Sequence, residues 1–374
     1  MYRENPIGSI RIIIGTILFV ALYNILLLTY LSPYINPKNF WWISIIGLAY
    51  PITSILSFLV LIFVFWRKWT IRYTLLFFFL LGTPLHIRYF AWSFGNSPED
   101  LKKQENSIRL MSYNVRLFDF YEQLDQDRKI TKTGIFKLIE EIQPDILCFQ
   151  EYLLDKSARP HVTDKELNEL GGFIAKYDNN IWEYRDRYFG IATFSKLPIV
   201  GKGSLNTEFD DRFFGVYTDH VKNEDTFRVY NVHLQSIKFQ QEEYEFFSDS
   251  LFMLIDHKKT LLGMVDKIRY AYAPRVDQTE AILAHAKKSP YPVIIAGDFN
   301  DTPMSYVYSK INQDFYDAFR QSSSGIGATY AGKVPAGRID YIWHDENFKT
   351  NSFSVVKEVL SDHYPIWSDI KLLR

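Results

Sequence analysis

Three short acidic blocks stand in order near the C-terminal end of the chain: Gly297-Asp298-Phe299-Asn300-Asp301, Arg338-Ile339-Asp340-Tyr341 and Ser361-Asp362-His363-Tyr364-Pro365. Each sets a carboxylate beside a second polar group, and each follows or interrupts an apolar run. Val293-Ile294-Ile295-Ala296 precedes the first, Tyr341-Ile342-Trp343 continues the second, and Val355-Val356 lies shortly before the third. Short apolar runs of this kind predict buried strands. The polar residues then fall where strands end, which is where active sites collect. Several carboxylates and a histidine on one rim are what metal-assisted hydrolysis needs.

The elements that must position these groups begin at Ile108. From there short apolar runs alternate with helical stretches. The pattern predicts strands at Ile108–Tyr113, Ile146–Gln150, Gly190–Ser195, Gly215–Tyr217, Thr226–His233, Val293–Ala296, Tyr341–Trp343 and Ser354–Val356. Between the first two, Ile135, Leu138, Ile139 and Ile142 have helical spacing, which predicts a helix over 131–142 ending before Pro144. Many strands with few helices imply two packed sheets with helices outside, an α/β layered domain. No internal repeat is visible.

The first 95 residues read differently. Ile12–Leu31 is twenty residues without a charge and Phe40–Trp66 is twenty-seven. Both are long enough to cross a hydrocarbon core of about 30 Å. No small-residue cleavage site ends the first run, which argues against a signal peptide. A third run, Tyr73–Leu85, has only thirteen residues and reaches membrane length only with its flanks. Arg67, Lys68 and Arg72 lie between the second and third runs, against a single Lys38 between the first two. The positive-inside rule therefore expects the 66–72 loop in the cytoplasm and, after three spans, the rest of the chain outside. The expected organisation is a transmembrane helical region over 1–95, a polar linker over 96–107 and a catalytic domain over 108–374.

Charge narrows the partners. The chain carries 42 Lys/Arg and 43 Asp/Glu; residues 1–95 hold seven of the former and only Glu4 of the latter. The remainder therefore has 35 basic and 42 acidic residues, a net of −7. A generic nucleic-acid binder presents a basic surface, which this part lacks. The single Cys148 excludes an intrachain disulfide, and its apolar run makes it a buried small hydrophobe.

Five blocks line up in the second part: Ser112-Tyr113-Asn114-Val115, Phe149-Gln150-Glu151, Asn231-Val232-His233-Leu234, Gly297-Asp298-Phe299-Asn300 and Ser361-Asp362-His363, with Arg338-Ile339-Asp340-Tyr341 before the last. Their order and spacing resemble the endonuclease/exonuclease/phosphatase superfamily, over about Ile108 to Leu373. The resemblance implies a two-sheet, four-layer α/β sandwich and a divalent-metal-dependent phosphoesterase. It implies Glu151 as principal metal ligand, with Asn114 and Asp362 near the ion. Oxygen donors suit Mg²⁺ or Mn²⁺, and there is no Cys/His spacing for zinc. It further implies Asp298 as the group that orients or deprotonates water, and Asn300 beside it as a phosphate contact. His233 and His363 would contact phosphate oxygens, with Asp340 holding the His363 ring.

Out of that context each residue has a plainer reading. Asn114 is a turn residue, Glu151 a loop cap, His233 a core histidine, and Asp340 a salt-bridge partner of Arg338. Arg275 and Gln278 resemble the family's Arg-x-x-Gln helix, which packs behind the site. The long, aromatic-rich stretch 240–272 reads as an extra amphipathic helix, with a lid or membrane-contacting arm as the alternative. The functional expectation is a membrane-anchored phosphodiesterase of bacterial type in the cytoplasmic (inner) membrane. Two substrate classes compete: nucleic acid, the first reading by family resemblance, and as the alternative a phospholipid head group or small-molecule phosphodiester or phosphate. A non-catalytic membrane sensor is the rival of another class, disfavoured by the intact polar set. The N-terminal spans imply contact with membrane lipid, and nothing in the sequence points to a protein partner.

Overall fold

The structure, a computed structural model, describes residues 6–93, 103, 106–120, 125–158, 160–184, 186–207, 210–237, 258–332 and 337–373. It divides into two units, Met1–Tyr89 with Pro303–Ser309, and Phe90–Thr302 with Lys310–Arg374.

The first unit is helical: α1 (Pro6–Leu31), α2 (Pro37–Leu48), α3 (Tyr50–Trp66), α4 (Arg72–Leu81) and α5 (Thr83–Tyr89). Among the described residues only α1, over Ile14–Leu31, is by itself long and apolar enough to cross a membrane. The uncharged run Phe40–Trp66, expected as one span, is bent by 52° between α2 and α3. Pro51 in the first turn of α3 lacks the N–H that a continuous helix would use there. The third run is also divided. Helix α4 has ten residues, about 15 Å of rise, and α5 follows after Gly82. Small polar residues Ser44, Ser54 and Ser57 are buried at the helix contacts, and the Tyr23 hydroxyl donates to Ser57 O at 2.9 Å. Small residues of this kind let apolar helices approach closely.

The second unit contains two six-stranded sheets. The first runs β11-β12-β1-β2-β4-β3 and the second β5-β6-β7-β8-β10-β9. The strands are β1 (Ile108–Asn114), β2 (Ile146–Asp155), β3 (Ala175–Tyr184), β4 (Arg187–Ser195), β5 (Ile199–Thr207), β6 (Asp210–Lys222), β7 (Asp225–His233), β8 (Val293–Asp298), β9 (Tyr316–Asp317), β10 (Asp340–His344), β11 (Phe348–Val355) and β12 (Ile366–Leu372). Helices α6 (Asp125–Ile142), α7 (Asp164–Gly171) and α8 (Lys258–Ala286) accompany the sheets, as do the short helices Tyr306–Ile311 and Ala318–Ser322. The insertion noted over 240–272 falls partly outside the described residues; from Lys258 it belongs to α8, which also carries Arg275 and Gln278.

Strand alternation builds the interior. Ile108 and Leu110 of β1, Ile146 and Cys148 of β2, Phe227 and Val229 of β7, and Ile294 and Ala296 of β8 share one buried cluster between the sheets. Met111, Tyr113 and Leu147 belong to a second cluster with Ile135, Leu138, Ile139 and Ile142 of α6. Burial pushes the Cys148 thiol up to about 12, as expected for an inert thiol in an apolar interior. Just before β1, Ala91 pairs with Gly325 through both backbone bonds, at 2.9 and 2.8 Å.

Candidate active site

Continuing the same alternation toward one end of the sandwich changes the chemistry. On β1 the sequence of alternate positions is Ile108, Leu110, Ser112, Asn114; on β7 it is Phe227, Val229, Asn231, His233; on β8 it is Ile294, Ala296, Asp298. Side chains two residues apart share a face, so the apolar interior gives way first to hydroxyl and amide groups, then to the candidate reacting groups. Gln150 Nε2 donates to Asn231 Oδ1 at 2.6 Å, and Asn231 Nδ2 donates to Phe149 O and Ala192 O on the opposite sheet. Both amides are fully buried. Gln150 and Asn231 stand inside the sequence blocks that carry the resemblance, which implies no role for either. Their function is to lock the two sheets in register directly beneath the rim.

Sheet register then sets the neighbours. His233 pairs with Asp298 across the parallel β7–β8 ladder, and Asp340 pairs with Asp298 across the antiparallel β8–β10 ladder. Gly297, at φ 149°, makes this close approach possible: a Cβ there would collide with the Val232 carbonyl. From the other sheet, Asn114 ends β1 and pairs with Gln150. Glu151 follows at φ 49°, where the β2–β4 register shifts between Phe149 and Tyr152. A bulge of this kind re-aims a side chain. The Ser361 hydroxyl donates to Asn114 O at 2.9 Å and so ties the Asp362–His363 segment to the end of β1.

Asp298 lies at the centre and is fully buried. Its Oδ2 accepts from Asn114 Nδ2 at 3.1 Å and from Asn300 Nδ2 at 3.2 Å. His233 Nε2 lies 3.5 Å from the same oxygen and His363 Nε2 lies 3.6 Å from it. Asn300 N donates to Asp298 Oδ1 at 2.8 Å. Asn114 Nδ2 also donates to Glu151 Oε1 at 3.1 Å, and His233 Nε2 stands 3.8 Å from that carboxylate. On the far side, His363 Nδ1 bonds Asp340 at 3.0 Å. All eight residues singled out from the sequence are therefore brought to one rim, with Glu151 its more open side.

Burial raises the pKa of Asp298, and the attraction of His363 only partly opposes it. Burial likewise raises that of Asp362, and repulsion from Glu151 adds to the rise. His363 goes the other way. Its burial disfavours the cation, but Asp340 and Asp298 on either side of the ring lift it to about 10. His363 is thus an imidazolium held between two carboxylates.

Asp298, Asp340 and His363 each offer a ligand atom within 4.8 Å of the others. In this trio His363 Nδ1 is already bonded to Asp340, which leaves Nε2 and the carboxylate oxygens as the atoms that could meet an ion. Glu151 and Asp362 are two further carboxylates that repel each other, with no thiolate near, and Asn114 stands beside them with Nδ2 toward Glu151 and Oδ1 accepting from Arg116 N at 3.1 Å. One buried nitrogen, His233 Nε2, has no hydrogen-bond partner and faces the space between Asp298 and Glu151. Behind it, Arg275 Nε donates to Gln235 O at 2.7 Å and Gln278 accepts from Gln235 N at 2.9 Å, clamping the chain two residues past His233.

Residues 111–363 match the family model described as Endonuclease/Exonuclease/phosphatase family. Residues 11–89 match a second model, described as a domain of unknown function. A search of curated proteins finds no match. Among solved structures, the catalytic domain of human Nocturnin, solved with a bound sulfate anion, is 19% identical, with 71% of this chain and 94% of that chain covered and a TM-score of 0.50. An endonuclease/exonuclease/phosphatase from Bacteroides vulgatus is 16% identical, with 72% and 100% covered and a TM-score of 0.52. A family protein from Bacteroides thetaiotaomicron is 17% identical, with 71% and 98% covered and a TM-score of 0.52. At such identities these likenesses show the fold.

Proposed function

Because the chain belongs to the Endonuclease/Exonuclease/phosphatase family, and so is a phosphate-ester hydrolase, we propose that it is a divalent-metal-dependent phosphodiesterase that uses the residues gathered at this rim. The observation that carries the reading is the partnerless His233 Nε2, aimed with Asn114, Glu151 and Asp298 into one small space. A buried polar nitrogen left without a partner is costly, and a phosphoryl oxygen placed there would satisfy it.

Glu151 and Asp362, with Asn114 beside them, would hold Mg²⁺ or Mn²⁺. A bound ion would draw charge from a phosphoryl oxygen and so favour attack at phosphorus. Asp298 would take the proton of the attacking water, and burial has raised its affinity for that proton. Asn114 and Asn300, both donating to its Oδ2, fix its orientation. As the bond from water to phosphorus forms and the ester bond breaks, charge builds on the phosphoryl oxygens, and the leaving oxygen departs with the bond pair and takes a proton from solvent. His233 and His363 offer N–H donors to that charge. Asp340 holds the His363 ring and keeps it cationic.

The net charge of −7 over residues 96–374 favours a small or lipid-borne phosphodiester over duplex nucleic acid. Membrane attachment fits the same choice: α1 would supply one crossing and the bent α2–α3 pair, taken as one span, a second. The Arg67, Lys68 and Arg72 loop would lie in the cytoplasm, and a return across the membrane over residues 72–89 would put the catalytic unit outside. The test is hydrolysis by the full chain in detergent of an aryl phosphodiester, choline-headgroup lipid, plasmid DNA and RNA, each with Mg²⁺, Mn²⁺ or chelator. No hydrolysis of any of them would refute the reading. Cleavage of the nucleic acids alone would reassign the substrate.

A further inference from the structure

Asp340 and His363 come from different segments, 23 residues apart, and meet only through their side chains. Something else must hold the two segments at that spacing. Residues 329–331 lie between them. Thr329, fully buried, accepts from both Ile339 N and Asp340 N on its Oγ1, each at 3.0 Å. Its carbonyl accepts from Tyr364 N at 2.6 Å, and its N–H donates to Gly337 O at 3.0 Å. Two residues on, Ala331 N donates to Asp362 O at 2.7 Å. The Tyr330 ring stands edge-on to His363, with centroids 5.2 Å apart.

One threonine therefore grips the backbone of Asp340 through its side chain and the residue after His363 through its main chain. We propose that Thr329 is a positioning residue that sets the Asp340–His363 spacing and thereby the aim of His363 at the phosphoryl group. The inference rests on the reading of this rim as the reacting centre. The hydroxyl oxygen is the sensitive part. It is the shared acceptor for two buried N–H groups, and serine can reproduce it while isosteric valine cannot. Without it, the start of β10 is free to settle elsewhere, and Asp340 moves with it. Misplacement of about 1 Å can cost 10²-fold in rate.

The test compares Thr329→Val and Thr329→Ser with the wild type, as full chains in detergent. On an aryl phosphodiester with Mg²⁺, the valine variant should lose kcat by roughly 10- to 100-fold, at near-constant KM, and the serine variant should retain it. A second readout does not depend on activity. A buried imidazolium N–H bonded to a carboxylate gives a far-downfield proton resonance, assigned to His363 by its loss in His363→Gln. That signal should shift or broaden in the valine variant and persist in the serine variant. If the wild type is inactive but the signal behaves as described, the functional reading fails and the positioning role stands. If the valine variant does not accumulate, Thr329→Ala replaces it. A folded hydroxyl-free variant with wild-type kcat and an unmoved resonance overturns the proposal, as does an equal kcat loss in Thr329→Ser.

Discussion

The Asp340–His363 pair gives the sharpest quantitative expectation. His363→Ala removes an N–H donor from the rim, and losing one such donor costs about 10²- to 10³-fold in kcat, or roughly 2.7–4 kcal/mol. Asp340→Asn leaves the ring in place but removes the carboxylate 3.0 Å from Nδ1, the leading cause of the raised pKa. If Asp340 acts only through His363, its removal matters little once the ring is gone. The double variant should then fall about as far as the worse single one. Independent action would instead multiply the losses to about 10⁴-fold or more. The assay is kcat and kcat/KM on an aryl phosphodiester for the four proteins, scaled to folded protein. Scaling matters because His363→Ala leaves Asp298 and Asp340 as buried carboxylates without their shared cation, a change worth about 3–5 kcal/mol in stability. That destabilisation should shrink as the pH falls and the carboxylates protonate. A fully multiplicative double variant would refute the pairing.

Two further predictions follow from other parts of the chain. His220 is held neutral between Ser195 and Thr218, and burial takes it down to about 3. With about 6.5 in the unfolded chain, its depressed folded pKa leaves stability intact above pH 6.5 and erodes it as the pH falls toward 3, by about 5 kcal/mol at most. His220→Asn should therefore flatten the stability–pH curve in chemical denaturation between pH 6.5 and 4; an unchanged slope would count against the buried neutral state. For topology, a fluorescent protein or alkaline phosphatase fused after Arg374 should report phosphatase activity and no fluorescence. A fluorescent, phosphatase-inactive fusion would place the catalytic unit in the cytoplasm.

Much of the sandwich is legible where strands are apolar. The Ile146–Gln150 and Val293–Ala296 runs mark β2 and β8 because both their faces are covered. Four strands hide for physical reasons, β9 simply because it has two residues. Strand β12, Ile366-Trp367-Ser368-Asp369-Ile370-Lys371-Leu372, carries a buried aspartate that reads as a break until Arg109 is seen bonding it at 2.8 Å through both Nε and Nη2. Strands β3 and β5 are edge strands, the first rich in Lys, Asp and Asn and the second holding two glycines. The helical region misleads in the opposite sense, since composition announces length but not the bend before Pro51 or the division at Gly82. At the rim, the reacting groups stand in recognisable blocks. Thr329 has no such signal: it is one threonine in a loop, and only its two bonds to Ile339 and Asp340 mark it.

If Glu151 and Asp362, with Asn114 beside them, hold a divalent ion next to Asp298, the phosphate ester is cleaved only when that ion is present. The most direct measurement is aryl phosphodiester hydrolysis by the full chain after exhaustive chelation, followed by return of Mg²⁺ or Mn²⁺, with Glu151→Gln in parallel. Activity should vanish with chelation, return with either ion in the wild type, and in Glu151→Gln return only at much higher ion concentration. Full activity in the metal-stripped protein, or an unaltered ion requirement in Glu151→Gln, would contradict it.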